Sequence, residues 1–338
     1  MTNPVLTEAI GRVADRESLS ADAAASVLHE IMAGEASEAE TAAFLIALRT
    51  KGESAEEITG LARAMRELAL PVDAGDGLVD TAGTGGGRPT FNVSTTAALI
   101  AAGAGCRVAK HGNRSATSRC GSADVLEALG AKIDLEPERV ADCIRTVGFG
   151  FMFAPLHHQA MKHVVPVRKA LAVRTVFNFL GPLTNPAGAT RQVIGVSDRR
   201  ALEEIGHALL ALGTEKALVV SSADGLDEFS VAGPTRVVEL SADGLDAYDV
   251  GPEDFGIEPA ADAAVGAGTP EENSGLVRSV LGGEAGTARS LAVMNAGAAI
   301  YVGGLAETLS DGARRAEESI DSGAASAVLE RWVERTRA

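Results

Sequence analysis

One stretch between Leu78 and Asp124 limits the possible folds of this chain more than any other, because it reads as strand, glycine loop, capped helix, strand and basic loop in immediate succession. Leu78 and Val79 read as the end of a short buried strand. In DTAGTGGGRPTFNVST (80–95), Gly83, Gly85, Gly86 and Gly87 then let the backbone turn sharply and present N–H groups with no side chain in the way. Asn92, Ser94 and Thr95 are helix N-cap types ahead of AALIAAGAG. Arg107 to Ala109 read as the next strand, whose end delivers KHGNRSATSRCGSAD (110–124). Strands joined through a helix in this way favour a parallel sheet, and ligands of such sheets bind beyond the carboxyl ends of the strands.

Before this stretch the pattern is helical only. Ser20 can cap a helix carrying Val27, Leu28 and Ile31, which Gly34 stops, and Ser37 with Glu40 and Ser54 with Glu57 have capping-box spacing. Ile58, Leu61, Ala62, Met65, Leu68 and Ala69 repeat at helical spacing on one face, a packing stripe that serves either the interior or a subunit contact. After Leu78 short β-rich runs, among them Leu218 to Ser221 and Arg236 to Leu240, alternate with Ala-rich helices. The expected class is α/β: a small all-helical N-terminal domain at 1–72 and a larger domain at 73–338 with a mainly parallel sheet flanked by helices. Residues 251–288, rich in Gly, Pro, Glu and Asp, read as mostly loop, and the chain returns to helix from Leu305. No internal repeat or low-complexity linker is visible.

With 338 residues the chain can bury a large core. A formal net charge of −16 argues against general affinity for nucleic acid or anionic membranes. Cys106, Cys120 and Cys143, an odd number without regular spacing, point to a reducing compartment and to neither a disulfide framework nor a zinc site. The N-terminus lacks an apolar stretch of signal-peptide length, and SLAVMNAGAAIYVGGLA (290–306) is interrupted by Asn295 and glycines, so a buried helix is expected there and a cytoplasmic location for the protein.

Taken singly, the glycine run reads as an ordinary turn, NVST as a helix cap, and 110–119 as a solvated basic loop. Taken together in an otherwise acidic chain they describe a donor-rich, cationic pocket for phosphate, with free N–H groups and a helix dipole facing one anion. Likewise DGLDEFS (224–230) follows a predicted strand and reads equally as a polar turn or as a pair of metal ligands.

In order and spacing, D-x-x-GTGG, F-N-x-ST, KHGNR-x-x-(T/S)S and GSAD resemble the anthranilate phosphoribosyltransferase family of tryptophan biosynthesis. MKHVVPVRKALAVRTVFNFLGPLTNPAG (161–188) is similar to that family's segment around its anthranilate-binding arginine, and DGLDEFS to its acidic metal loop. The resemblance covers essentially the whole chain. It implies transfer of a phosphoribosyl group from phosphoribosyl pyrophosphate to the amine of anthranilate, with release of pyrophosphate. The implied phosphoribosyl pyrophosphate contacts are Gly83, Gly86, Gly87, Thr90, Asn92, Val93, Ser94, Thr95, Lys110, His111, Gly112, Asn113, Arg114, Ser115, Ala116, Thr117, Ser118 and Ser122. Lys110 would be the full positive charge nearest the phosphates. For anthranilate they are Gly83, Asn113 and Arg168, whose guanidinium can clamp a carboxylate bidentately. Ser94, Asp227 and Glu228 are the implied ligands of Mg2+, two ions per subunit. No residue is assigned as general base; Lys110, Asn113 and Arg168 position and stabilise charge. His157, His158 and His163 are expected to flank the anthranilate entrance, since no cysteine or carboxylate at ligand spacing supports a metal there. A homodimer through the helical domain, with a helical contribution from about 160–185, is also implied.

One departure stands out. The family usually has Asp directly after GTGG, where this chain has Gly87 followed by Arg88. Two other readings share the architecture. A pyrimidine nucleoside phosphorylase would need a lysine-histidine-serine glycine loop that 80–87 does not contain, and a non-catalytic nucleic-acid-binding relative would need a basic surface.

Overall fold

The computed structural model describes residues 2–115, 119–261, 265–266 and 268–338. Four helices come first: α1 (Pro4–Ala14), α2 (Ala21–Ala33), α3 (Glu38–Lys51) and α4 (Ala55–Glu67). Local chemistry sets their starts. Ser20 caps α2, and both predicted capping boxes form, Ser37 with Glu40 and Ser54 with Glu57. Glu57 does more than cap: fully buried, it also accepts the Leu19 N–H at 3.0 Å and pairs with Lys51 at 2.9 Å, so the α1–α2 connection is tied to the start of α4.

From residue 78 strands and helices alternate: β1 (Leu78–Gly83), α5 (Val93–Gly103), β2 (Arg107–Gly112), α6 (Ser122–Ala128), α7 (Pro137–Val147) and β3 (Phe149–Phe153). Three helices follow, α8 (Ala154–His157), α9 (Val165–Leu171) and α10 (Phe177–Leu183), and then β4 (Arg191–Gly195), α11 (Leu202–Ala211), β5 (Lys216–Ser222), β6 (Thr235–Ser241) and β7 (Gly244–Val250). Four helices end the chain, α12 (Pro270–Leu281), α13 (Thr287–Val302), α14 (Leu309–Asp321) and α15 (Ala324–Arg337). The strands form one sheet in the order β3-β2-β1-β4-β5-β6-β7. β1 to β5 are parallel, while β6 and β7 extend the sheet as antiparallel strands.

Successive residues of β5 enter different cores, as strand geometry requires. Leu218 and Val220 pack with α5, α13 and the C-terminal helices, whereas Ala217 and Val219 face the other side. On that second side Ile194 and Val219 share one apolar cluster with Leu28, Phe44 and Ile58 of the first helices and with Val164, Phe177 and Leu180 of the 160–185 region. The N-terminal helices therefore do not enclose a core of their own; they cover a face of the sheet together with α9 and α10. Trp332 of α15, fully buried, meets Phe149 of β3 edge-on with centroids 4.9 Å apart.

Two expectations need correction. Residues 270–281 are helix and not loop: Thr269 and Glu272 form a capping box, and Pro270 occupies the first turn, where its missing N–H costs nothing. In addition, Leu78 and Val79 begin β1 and do not end it; the strand continues through Asp80 and Thr81 to Gly83.

Candidate active site

Strand order reverses between β1 and β4: the chain runs outward from β1 to β3 on one side, then from β4 to β5 on the other. The crevice at such a switch point is where open α/β sheets bind ligands. Gly83 and Gly195 pair across it at the carboxyl ends of the two strands. The glycine loop turns here with Gly85 at φ +66° and Gly86 at φ +78°, conformations that exclude side chains at little cost only for glycine. It is anchored from the β4 side, where Thr84 N–H donates to Gly195 O at 2.8 Å and the Ser197 hydroxyl to Gly85 O at 2.9 Å.

The acidic loop after β5 lies directly against it. Gly85 N–H donates to Asp227 Oδ2 at 3.1 Å, Arg88 N–H to Gly225 O at 2.7 Å, and Thr90 Oγ1 to Glu228 Oε2 at 3.0 Å. Arg88 also pairs with Asp224 at 3.5 Å. A Cβ at Gly83 would fall 2.8 Å from Asp227 Oδ2, and one at Gly87 2.6 Å from Asp227 Oδ1 and 2.9 Å from its backbone N, so a side chain at either position would shift Asp227. Ser94, Asp227 and Glu228 line one small cavity with Thr81, Gly195 and Asn295. Desolvation, added to the neighbouring Asp227 charge, pushes the Glu228 carboxyl up to about 8; burial also raises Asp227. Two adjacent, partly desolvated carboxylates favour a compensating cation.

Asn295 fixes this loop. From the buried helix α13 its amide accepts Phe229 N–H at 3.0 Å and donates to Phe229 O at 3.1 Å, immediately after Glu228. In the sequence Asn295 registers only as an interruption of an apolar run, and nothing local marks it as a support of the acidic pair.

β2 carries the basic residues, but it buries them. Lys110 is 2 % exposed; its ammonium donates to Thr81 O at 2.5 Å and reaches Ser94 Oγ at 3.4 Å. Desolvation lowers its pKa to about 8, against the opposing pull of Asp80 and Glu228. Its charge thus sits beneath the pocket floor and not at the surface. Asp80, unassigned from sequence and fully buried, accepts His111 N–H at 3.1 Å and the Asn185 amide at 2.7 Å, locking β1, β2 and the loop before β4 together. His111 faces Gly181 O through Nδ1 at 3.1 Å, and burial holds its pKa down at about 3. A group that stays neutral and so weakly basic is unsuited to general-base work near pH 7.

In the loop that follows, Asn113 and Ser122 are joined, the Ser122 hydroxyl donating to Asn113 O at 3.2 Å, and Gly112 lies where a Cβ would collide with Ser122 and Phe151. The Arg114 guanidinium is held by Asp124 at 2.9 Å and Glu127 at 2.5 Å and lies over Phe153. Ser115 N–H donates to the same Asp124. Ala116, Thr117 and Ser118 lie outside the described residues.

Asn92 occupies the N-cap of α5 without making the predicted cap bond. Its side chain instead accepts from the Asn273 amide at 2.9 Å and donates to Cys120 O at 3.3 Å, tying the helix start to α12 and the basic loop. Val93 and Thr95 are fully buried, and the Val93 N–H already donates to Phe91 O at 2.6 Å, while Ser94 keeps its hydroxyl at the cavity.

Arg168 stands on α9, half-buried, with its guanidinium carbon 5.6 Å from the Phe177 ring centroid. No carboxylate lies within ion-pair distance of it among the described residues. His157 and His158 are buried and His163 exposed; the His158 ring lies tilted by 57° against His111 with centroids 5.1 Å apart, and desolvation lowers its pKa to about 4. Among the described residues no group of three His, Cys, Asp or Glu side chains could enclose a metal.

The crevice thus joins an N–H-rich loop, a helix N-terminus and two half-buried carboxylates. Residues 7–69 match the glycosyl transferase family helical bundle domain, and 75–326 its a/b domain. The chain is 53% identical to the anthranilate phosphoribosyltransferase of Rubrobacter xylanophilus over 98% of both chains. The crystal structure of the Thermus thermophilus anthranilate phosphoribosyltransferase superposes with a TM-score of 0.92 at 45% identity, covering 98% of this chain and 99% of that one. The Saccharomyces cerevisiae enzyme, in complex with PRPP and Mg, gives 0.90 at 29% identity over 99% of each chain, and its complex with 4-fluoroanthranilate gives 0.87 at 27% identity over 98% of each. No helix among the described residues is long and apolar enough to cross a membrane.

Proposed function

The chain belongs to the anthranilate phosphoribosyltransferase family, and from that premise we propose how its own residues carry the reaction. The protein transfers the phosphoribosyl group of 5-phosphoribosyl 1-pyrophosphate to the amine of anthranilate in tryptophan biosynthesis. The C1–N bond forms as the C1–O bond to pyrophosphate breaks, and the amine gives up a proton. Because an aromatic amine is a weak nucleophile, the barrier falls chiefly through alignment and through neutralising the leaving charge.

Gly83, Gly86, Gly87, Thr90, the 92–95 helix start, the end of β2 from Lys110, residues 113–115 and Ser122 form the proposed cradle for phosphoribosyl pyrophosphate. Lys110 supports it electrostatically from below, and Arg114 contributes only its backbone. For the acceptor we assign Arg168 to the anthranilate carboxylate, with Gly83 and Asn113 beside the amine. The observation that carries this assignment is a half-buried guanidinium, stacked on Phe177, without a carboxylate partner among the described residues.

Asp227, Glu228 and Ser94 offer oxygen donors only, in a cavity where both carboxyls are destabilised by burial. That set suits a hard cation that keeps several waters and takes phosphate oxygens. Mg2+ held there, two ions per subunit in our proposal, supplies neutralisation of the departing pyrophosphate. We place the division between a helical and a catalytic domain near residue 72, the protein as a homodimer through its helical face, and its location in the cytoplasm.

Mixing the protein with anthranilate, phosphoribosyl pyrophosphate and Mg2+ and following the loss of anthranilate fluorescence tests the activity. Folded protein that consumes no anthranilate would overturn it.

A further inference from the structure

Between α9, which carries Arg168, and α10 the chain turns through Ala172 in the left-handed region at φ 52°, and two residues later Arg174 reaches the glycine loop. Its guanidinium occupies the space above Gly86: a Cβ built on Gly86 would run into Arg174 Nη1. Arg174 is half-buried, and its Nη2 is closed off from solvent with no hydrogen-bond partner among the described residues. Its charge reaches two carboxylates, Asp227 and Asp198, the second already clamped by Arg200 through two hydrogen bonds of 3.0 and 2.8 Å. Neither carboxylate lies within ion-pair distance of Arg174. A buried guanidinium N–H without an acceptor is costly, and arginine's planar fork matches phosphoryl oxygens better than any other side chain does.

We propose that Arg174 is a further donor-site residue, one that contacts a diphosphate oxygen of phosphoribosyl pyrophosphate from above Gly86. This rests on the reading of the glycine loop as the phosphate cradle. Three features point to the diphosphate and not to the 5-phosphate. Arg174 lies over the segment of the loop that touches Asp227, its charge is felt by that proposed metal ligand, and Asp227 and Glu228 serve the pyrophosphate end. The arrangement also ties the segment bearing the acceptor arginine to the donor loop, since Arg168 and Arg174 flank one short turn.

The test is calorimetric binding of Mg2+–pyrophosphate and, separately, of ribose 5-phosphate to the full-length protein and to Arg174→Met and Arg174→Lys, both unbranched, the first without charge and the second with it. Arg174→Met is expected to weaken pyrophosphate about ten- to hundredfold, the range for losing a charge-assisted hydrogen bond, with Arg174→Lys recovering part of the loss. Affinity for ribose 5-phosphate is expected to stay within about twofold in both, since no charged contact to that end is removed. Unchanged pyrophosphate affinity in Arg174→Met would overturn the proposal. So would equal losses in the Met and Lys variants with a lowered melting temperature, which would make Arg174 a packing residue over Gly86, or an equal loss for ribose 5-phosphate. Because binding is read directly, absence of anthranilate turnover in the wild-type protein would count against the reaction alone.

Discussion

Arg168 and Phe177 face each other across the turn between α9 and α10, the guanidinium carbon 5.6 Å from the ring centroid. The ring lies against the guanidinium, which we propose takes the anthranilate carboxylate. Arg168→Ala should raise KM for anthranilate about ten- to hundredfold, with a far smaller effect on KM for phosphoribosyl pyrophosphate, since only the acceptor loses a charge-assisted hydrogen bond. Equal rises in both constants would show that Arg168 does not hold the acceptor.

Position 87 points at the acidic loop, where a Cβ would sit 2.6 Å from Asp227 Oδ1 and 2.9 Å from Asp227 N. Gly87→Asp should therefore alter the Mg2+ dependence of turnover while leaving KM for anthranilate nearly unchanged. Asp227→Asn combined with Glu228→Gln should abolish most turnover at any Mg2+ concentration. Initial rates over a Mg2+ titration check both expectations, and an unaltered curve for Gly87→Asp would show that the departure from the family pattern has no bearing on the metal.

His111 is held neutral, its pKa pressed down to about 3 by burial. An unfolded histidine titrates near 6.5, so between pH 6.5 and 3 the unfolded chain binds a proton that the folded one refuses, and stability falls as the pH falls through that window. At pH 5 the contribution amounts to about 2 kcal/mol relative to neutral pH. Urea unfolding at pH 7 and pH 5 should show a smaller acid loss for His111→Gln than for the wild type by about that amount. An identical loss would mean that His111 is not shielded in the folded protein.

Ala172 adopts φ 52° and ψ 27° at the end of α9, a place where glycine carries no steric penalty. Ala172→Gly should raise unfolding free energy by about 0.5–1 kcal/mol, and Ala172→Val should lower it, because the left-handed strain exceeds the entropy that glycine adds to the unfolded chain. Denaturant midpoints of the three proteins decide the matter.

α3 and α9 pack on each other and leave Ile46 37% and Val165 51% exposed, with Val173 at 45% beyond the turn. Exposed apolar side chains on neighbouring helices suit a contact between copies of the chain. Light scattering at micromolar concentration should give a mass near twice 34.5 kDa, and Ile46→Lys with Val165→Lys should lower it. A monomeric mass for the wild type would remove the homodimer.

Much of the local architecture was legible because its causes are local. Ser37 with Glu40 and Ser54 with Glu57 close their caps within one helical turn, whatever the rest of the chain does. The glycine loop, the helix after Asn92 and the strands around it likewise follow from turn chemistry and periodicity. The helix at 270–281 carried the same kind of signal in Thr269, Pro270 and Glu272, but the Gly- and Pro-rich composition around it concealed a short amphipathic pattern.

Residue types, motif order and spacing were enough to determine that this protein has a glycine loop and a capped helix beside a mainly parallel sheet, and an acidic pair after a later strand. Which side chains remain available was decided only by the tertiary structure, because availability depends on partners distant in sequence. Arg114 loses its fork to Asp124 and Glu127, and Lys110 disappears beneath Thr81. Asp80 binds Asn185, and Asn295 on α13 grips Phe229 behind Glu228. Arg174 reaches over Gly86 only because the turn at Ala172 brings it there. Desolvation and hydrogen-bond competition act on neighbours in space, and spacing along the chain carries no record of them.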